Sequence, residues 1–531
     1  MSTQAAQGPT RPQSRTRPAR KDRKGSAVDR SLNWIDDRLG VSKAGRTFMD
    51  KIFPDHWSFM LGEIALYSFV VLVATGIFLT LYYIPSSKEV IYHGSYLPLK
   101  GRKMSEAYLS TVNLSLKVRF GLVMRQAHHW AADVFVGAIA VHMCRVFFTG
   151  AFRRPRELNW AVGVTLLTLA IVNGFIGYSL PGDLISGTGL RIMFSIILSI
   201  PLIGTYLAFF LFGGNYPGNG IIIPRLFIIH VLIVPAIIAA LIGAHLFLLV
   251  RQKHTQFAGP GRREDNVVGS PMWPNFMLKT TGFQAMVAAV LLGLGAFAQI
   301  NPIWQFGPYV PYKVSYAVQP DWYMAWLDGA LRIMPSWEFA GFGHTIPLEV
   351  TLPAVVLPGL TFGLFYAWPF LEARFTGDYL PHHILDRPRD RPRRTGLGAG
   401  ILAFYFVLFG ASSTDVLANY LHVSLNAVLW SFRVLVFVVP VIVGFLAYEI
   451  SKELAALPDS GKRKRAMIVE RTPQGEYLAE PAEPRPGDGT EELEPEPVPV
   501  HMPVAELVGS GSLGDETGTE AGPAGVRQVE R

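Results

Sequence analysis

Cysteine occurs once in the 531 residues, at Cys144. A lone thiol excludes an internal disulfide, a four-cysteine iron–sulfur or zinc site, and the C-x-x-C-H attachment of a covalent haem. Charge is scarce as well. Only 17% of residues are Asp, Glu, Lys or Arg, whereas an ordinary soluble domain has about 25%. Uncharged apolar runs take their place, and the balance of 50% hydrophobic to 17% charged residues points to a polytopic membrane protein. The net charge of +8 collects at the ends of the apolar runs and in the first thirty residues, where Arg11, Arg15, Arg17, Arg20, Lys21, Arg23, Lys24 and Arg30 lie. Ahead of a first membrane span, such an arm marks the cytoplasmic side and does not call for nucleic acid. No apolar core follows it at the usual distance, so a cleavable signal peptide is not expected.

What the chain does have is eight long apolar stretches. They run about 58–83, 130–148, 159–180, 226–250, 282–300, 348–369, 397–413 and 430–448. The segment Met193–Phe212 is apolar enough to be a ninth. With eight spans, the arginines at 145, 153, 154 and 156, then 251, 262 and 263, then 374, 387, 389, 391, 393 and 394 all fall on one side. The positive-inside rule therefore favours eight, with 193–212 lying on the outer surface as two short helices broken at Pro201. The first outer loop, with Lys88, Lys100, Arg102, Lys103, Lys117, Arg119 and Arg125, is the exception. The expected fold is an all-α polytopic membrane protein of eight transmembrane helices, the first four forming a four-helix bundle. The expected parts are a basic tail and amphipathic lead-in (1–56), a four-helix domain (57–255), a second four-helix domain (256–450) and a disordered Pro/Glu/Gly-rich tail (451–531). Both termini are expected in the cytoplasm.

Two histidine pairs sit on apolar spans, His128 with His142 and His230 with His245. At 100° and 1.5 Å per residue, a 14-residue gap returns to nearly the same helix face about 21 Å further on, and a 15-residue gap returns within about 60°. Two such helices facing each other present two stacked imidazole pairs, which is what two bis-imidazole haems need. A second 14-residue repeat, Gly62 with Gly76 and Gly163 with Gly177, removes side chains where a flat macrocycle must press against a backbone. Gly62 and Gly163 fall at the inner ends with His142 and His245, and Gly76 and Gly177 at the outer ends with His128 and His230. Arg125 and Arg145, three residues outside the second-span histidines, suit the anionic haem propionates. His129 competes with His128; the 14-residue spacing and Arg125-x-x-His128 favour the latter. The blander readings are a polar core histidine, glycines for plain helix packing and Arg145 as a positive-inside charge.

Over residues 50–450 the chain resembles cytochrome b, the haem-bearing subunit of the cytochrome bc complex. The resemblance is carried by Ala74-Thr75-Gly76, Arg125-x-x-His128, His142-x-x-Arg145, Gly177-Tyr178-x-Leu180-Pro181, the second His pair and Pro320-Asp321-Trp322-Tyr323. The 15-residue second pair is similar to the photosynthetic b–f relatives and bacterial branches. The long polar tails and Asp321 look most like the actinobacterial subunit. The resemblance implies a quinol–cytochrome c oxidoreductase in the cell membrane with two b-type haems and bound quinol and quinone. Quinol, expected as menaquinol, is oxidised at an outer site; one electron leaves to an iron–sulfur partner and the other crosses through both haems to reduce quinone inside. The partners implied are a Rieske iron–sulfur subunit, a diheme c-type cytochrome and a terminal oxidase in a supercomplex, with the whole dimeric.

In the family, a Pro-Glu-Trp-Tyr segment lines the outer quinol site. Carried over, Asp321 accepts the quinol proton and Tyr323 shapes or hydrogen-bonds the pocket, with 177–191 as its other wall. Quinol is a poor electron donor until deprotonated, so a carboxylate near the outer surface makes chemical sense. Asp321 is one methylene shorter than the family's glutamate. Its blander reading is a simple Pro-Asp turn. Arg251, Lys253 and Lys279 are cations near the inner haem but serve equally as inside anchors. Two other functional classes remain open at this point: a diheme anchor of a quinone-linked dehydrogenase, and a haem-free transporter with histidine relays. Outer-site inhibitors separate the first, and a reduced-minus-oxidised spectrum the second.

Overall fold

The computed structural model describes residues 27–217, 220–313, 319–341, 343–456, 467–471 and 477–481. Most of the basic arm and most of the C-terminal tail therefore lie outside the described residues. Eight helices are long and apolar enough to cross a membrane: Trp57–Thr80, Gly121–Phe148, Glu157–Ser179, Ile222–Arg251, Met272–Phe297, Leu348–Thr376, Pro392–Ala411 and Leu425–Ala456. They are called spans one to eight below. Two short amphipathic helices, Ala27–Leu39 and Val41–Met49, precede them.

The segment 193–212 forms two short helices, Leu184–Leu198 and Gly204–Phe212, interrupted around Pro201. Asp183 starts the first: its carboxylate accepts from Ile185 N at 3.1 Å and from the Ser186 hydroxyl at 2.7 Å, the usual N-cap arrangement. Burial pushes the Asp183 carboxyl above its ordinary value, against these hydrogen bonds.

Span two begins at Gly121, not at Trp130 as the hydropathy pattern suggests. The extra turns carry Arg125, Gln126, His128 and His129, whose polarity hides them from an apolar window. Arg125 and Gln126 are buried there, and Arg125 donates to Asn301 O at 2.8 Å. At the other end of the chain, span eight continues to Ala456, past the expected tail boundary at 451. Within the tail, Met467–Arg471 and Tyr477–Pro481 pair as an antiparallel hairpin. Each strand holds apolar residues suited to pairing, which composition averaged over a Pro/Glu-rich tail conceals.

Spans one to four enclose the main core: Ala65, Phe135, Val136, Ile139, Met143, Trp160, Val164, Leu167, Val234 and Ile238 are all buried together. Span one packs on span two and span three on span four, while span five packs on spans one and two. Spans seven and eight form a second close pair. With no hydrophobic drive between helices in lipid, small residues permit such approach.

The loops that follow spans two, four and six are tied together by ions. Arg394 at the start of span seven pairs with Glu372 and, at 2.8 Å, with Asp386; Arg153 reaches Asp386 at 3.1 Å. The Arg156 guanidinium donates to Lys253 O at 2.9 Å and to His382 O at 2.6 Å. Burial alone would raise Asp386, but Arg153, Arg394 and Arg391 outweigh it and hold the carboxyl below its ordinary value.

Candidate functional site

Each glycine of the 14-residue repeat lies against one histidine of the neighbouring span. A Cβ on Gly76 would stand 3.3 Å from His128 Cε1, and one on Gly62 would stand 3.3 Å from His142 Cε1. On the second helix pair, Gly177 backs His230, with Nε2 2.8 Å from the would-be Cβ, and Gly163 backs His245 at 3.9 Å. The pairing of inner with inner and outer with outer matches the repeat. In each niche the open side of the glycine meets the imidazole of the adjacent helix.

His128 and His230 face each other across the bundle, ring centroids 6.2 Å apart and planes at 76°. Their Nδ1 atoms turn outward. His128 Nδ1 lies 2.9 Å from Thr75 Oγ1, and His230 Nδ1 lies 3.0 Å from the Asn173 carbonyl. Thr75 itself donates to Val71 O at 2.7 Å, so its oxygen is left to accept from the imidazole N–H. Such outward bonds fix the tautomer that leaves Nε2 free as a ligand. Metal–imidazole bonds of about 2 Å, with ring centres about 1 Å behind each nitrogen, put two axial imidazole centroids about 6 Å apart. The outer pair thus fits a bis-imidazole iron.

At the other end, His142 and His245 each bury an Nδ1 with no hydrogen-bond partner among the described residues. Arg125 and Arg145 behave similarly. Each keeps a buried Nε without a partner; Arg125 otherwise donates to Asn301 O at 2.8 Å, and Arg145 lies over the Phe59 ring at 4.9 Å. Unsatisfied guanidinium hydrogens beside the histidine niches suit an anionic group.

A π-helical turn at Ile229–Ile233 contains His230. It inserts one residue into the α-helical phase. That is how a 15-residue gap presents His230 and His245 as the 14-residue gap presents His128 and His142.

A cavity of about 630 Å³ opens beside the outer pair, lined among others by Gly76, Gly177, His128, His230, Arg125, Tyr178, Asp321 and Tyr323. Its far wall stops at Pro181. Residues 184–191 do not line it, because the helix they begin packs instead on Phe212, Ile222 and Ile223. Gly182 and Leu184 are stitched to the long loop by Tyr309 N to Gly182 O (3.0 Å) and Leu184 N to Gly307 O (2.9 Å).

Asp321 enters the cavity from the loop before span six. It precedes a 3-10 turn, Trp322–Met324, yet its side chain does not cap that turn. The plain turn reading therefore leaves its carboxylate unexplained. Instead Tyr323 donates its hydroxyl to Asp321 Oδ2 at 3.0 Å, and His129 Nε2 meets Asp321 Oδ1 at 3.2 Å. Trp322 lies against Gly137 of span two, which pins the segment. Burial, and next the Asp321 carboxylate, hold the Tyr323 phenol well above its ordinary value. Tyr323 is therefore a hydrogen-bond donor at every working pH.

Sequence reasoning gave Thr75 and Asn173 no role, and treated His129 only as a rival to His128. Its adjacency to His128 was visible, but 100° of rotation turns the two rings to different tasks.

Two stacked histidine–glycine niches in a four-helix core, with a carboxylate-bearing cavity at one end, are the features of a transmembrane haem protein. A family model described as cytochrome b (N-terminal)/b6/petB matches residues 133–308. The cytochrome bc1 complex cytochrome b subunit of Streptomyces coelicolor is 48% identical over 466 residues, 87% of this chain and 85% of that one. The same subunit of Mycobacterium leprae is 50% identical over 459 residues, 86% and 82% of the two chains. A chain of a hyperthermophilic respiratory Complex III shares the fold, with a TM-score of 0.58 and 22% identity over 79% of this chain and 100% of that chain. The chain belongs to the cytochrome b family of the bc1 complex, the haem-bearing membrane subunits of respiratory quinol–cytochrome c oxidoreductases.

Proposed function

We propose that the chain holds two b-type haems, one between His128 and His230 and one between His142 and His245, and oxidises menaquinol in the cavity at Asp321. The single observation that carries this reading is the facing of His128 and His230 at 6.2 Å, each with Nδ1 engaged outward. Bound there, haem iron supplies one-electron redox chemistry near each membrane face. Everything else falls to the protein. Arg125 and Arg145 neutralise propionates with the guanidinium hydrogens they leave unpaired. Gly62, Gly76, Gly163 and Gly177 let the imidazoles seat deep between helices.

Asp321 accepts the proton of the quinol hydroxyl as general base. Tyr323 and His129 hold one carboxylate oxygen each, which fixes the orientation of the base. Deprotonation makes the quinol a reductant, with one electron leaving to a Rieske iron–sulfur subunit and the other crossing toward quinone reduction at the opposite face. Protons are released outside. A diheme c-type cytochrome takes the exported electron, in a dimeric complex joined to a terminal oxidase. Arg251, Lys253 and Lys279 lie toward the opposite face, and among the described residues only Lys279 of the three carries an acidic partner there, Asp55 at 3.1 Å. Eight spans return the chain to its starting side, and the basic loops put both termini in the cytoplasm.

The test is a redox titration of the assembled complex with and without His142→Leu. Two b-type components are expected in the parent, and loss of one with the other kept in the variant. Retention of both would remove the pairing on which the reading stands.

A further inference from the structure

Glu63 stands about 9 Å along span one from its start at Trp57, at the end of the bundle where Gly62 backs His142. Among the described residues its partners are two hydroxyls and no cation. Thr280 of span five donates to Glu63 Oε2 at 2.7 Å, and Tyr67, one turn further along span one, donates to it at 3.3 Å. The two hydroxyl oxygens also meet each other. Three contacts thus close a ring of three oxygens, while the hydroxyls bring only two hydrogens. The ring has a place for one more, the carboxyl's own. A carboxylate inside a span without a cation is costly and marks a task. Thr280 follows Lys279, whose ammonium reaches Asp55 at 3.1 Å and Ser270 Oγ at 3.3 Å. Lys279 and Asp55 are exposed, Glu63 is half-buried and Tyr67 is buried, so the polar groups grade from water into the bundle.

We infer that Glu63 is the proton donor for quinone reduction at the inner face, recharged from water past Asp55 and Lys279. The inference rests on the inner quinone reduction proposed above and names the group that serves it. Each quinone reduced to quinol takes two electrons by way of the haem site at His142 and His245, and two protons from the inner water. Electrons arrive singly, so one carboxyl, emptied and refilled between them, supplies both protons. Glu63 gives its proton to a quinone oxygen, whose O–H bond forms as the Glu63 O–H bond breaks. The Thr280 and Tyr67 hydroxyls then hold the carboxylate until water on the Lys279 side restores its proton. Two hydroxyls serve this better than a cation, because an ammonium or guanidinium would favour the charged carboxylate and keep the proton off. Gly62 sets this carboxyl one residue from the contact with His142, so proton and electron meet at one end of the bundle.

The experiment uses the assembled complex, fed quinol and cytochrome c, with b-haem absorbance followed through the first turnover and into the steady state. In Glu63→Gln the first reduction of the b haems is expected at the parent's rate, because it precedes the inner step. Their re-oxidation is expected at least about tenfold slower, so they stand reduced in the steady state. That slowed rate should also fall about tenfold per unit rise in pH, since the proton then comes directly from solution. Thr280→Val keeps the carboxyl but loses its shorter hydrogen bond. It is expected to slow the same step about threefold, and it carries the test if Glu63→Gln does not assemble. Re-oxidation at the parent's rate in Glu63→Gln, or in Thr280→Val where only that variant assembles, overturns the role of Glu63. A slowing in Glu63→Gln that ignores pH overturns it too, for that is a loss of shape and not of a proton. A parent whose b haems quinol never reduces refutes instead the function on which the inference rests, which separates the two failures.

Discussion

The four glycines do not tolerate a methyl group equally, and the difference is large enough to measure. At Gly177 an alanine Cβ would meet His230 Nδ1 at 3.0 Å and Nε2 at 2.8 Å, closer than packed carbons come, and it would also meet Cε1. At Gly163 the nearest atom, His245 Cε1, is 3.9 Å away, an ordinary contact. Two opposed effects decide each case. Alanine favours a helix over glycine by about 0.8–1 kcal/mol, whereas overpacking a filled site costs about 1–3 kcal/mol. Gly163→Ala meets only the first and is expected to be neutral or slightly stabilising. Gly177→Ala meets both, and the ring must yield, because its Nδ1 is tied at 3.0 Å to Asn173 O, one turn away on the same span, which keeps it close against this helix. A displaced His230 no longer faces His128, so the outer haem is lost or shifted. Gly62→Ala and Gly76→Ala, each at 3.3 Å, fall between. The assay is a reduced-minus-oxidised spectrum with redox titration of the four variants in the assembled complex. Loss confined to one component in Gly177→Ala, with both kept in Gly163→Ala, is expected. The reverse order, or indifference to all four, would refute the claim that these glycines seat imidazoles.

Two further outcomes follow from the same geometry. Tyr323→Phe removes a hydrogen bond to a carboxylate, a change of about 1.5–3 kcal/mol, so quinol oxidation should slow by at least about tenfold. Because the phenol is held well above its ordinary value, the alkaline limb of the pH–rate profile should not move; a displaced limb would show that Tyr323 titrates in the reaction. Asp386→Asn leaves Arg153 and Arg394 facing a neutral amide in a site where Asp386 is 14% exposed, and should cost about 3 kcal/mol at neutral pH, read as a lower thermal midpoint. A depressed carboxyl stabilises above its unfolded value of about 3.9 and loses that contribution as pH falls through the folded one. The parent should therefore weaken below about pH 4 more steeply than the variant, and matching acid profiles would count against the network.

Much of this protein is legible in one dimension. Apolar run lengths allow eight or nine spans, because a bilayer demands about twenty uncharged residues from each helix, and the arginines of the loops select eight. The repeats 62/76, 128/142 and 163/177 reveal shared faces, because helical rotation is the same wherever it occurs. Where polar residues enter a span, the pattern fails. The first turns of span two, with Arg125, His128 and His129, read as loop by hydropathy and are helix by packing.

Composition, loop charge and local periodicity, then, determined the membrane class, the span count and which residues share a face. Tertiary structure alone decided the rest. The π-turn at Ile229–Ile233 brings His230 into phase with His245, and nothing in Ile-His-Val-Leu-Ile announces it. The meeting of His129 with Asp321 joins residues 192 positions apart, and the seating of imidazoles on glycines joins separate helices. Periodicity is a property of one helix, whereas a site is made where two helices and a loop converge, and only packing in three dimensions sets which side chains arrive there.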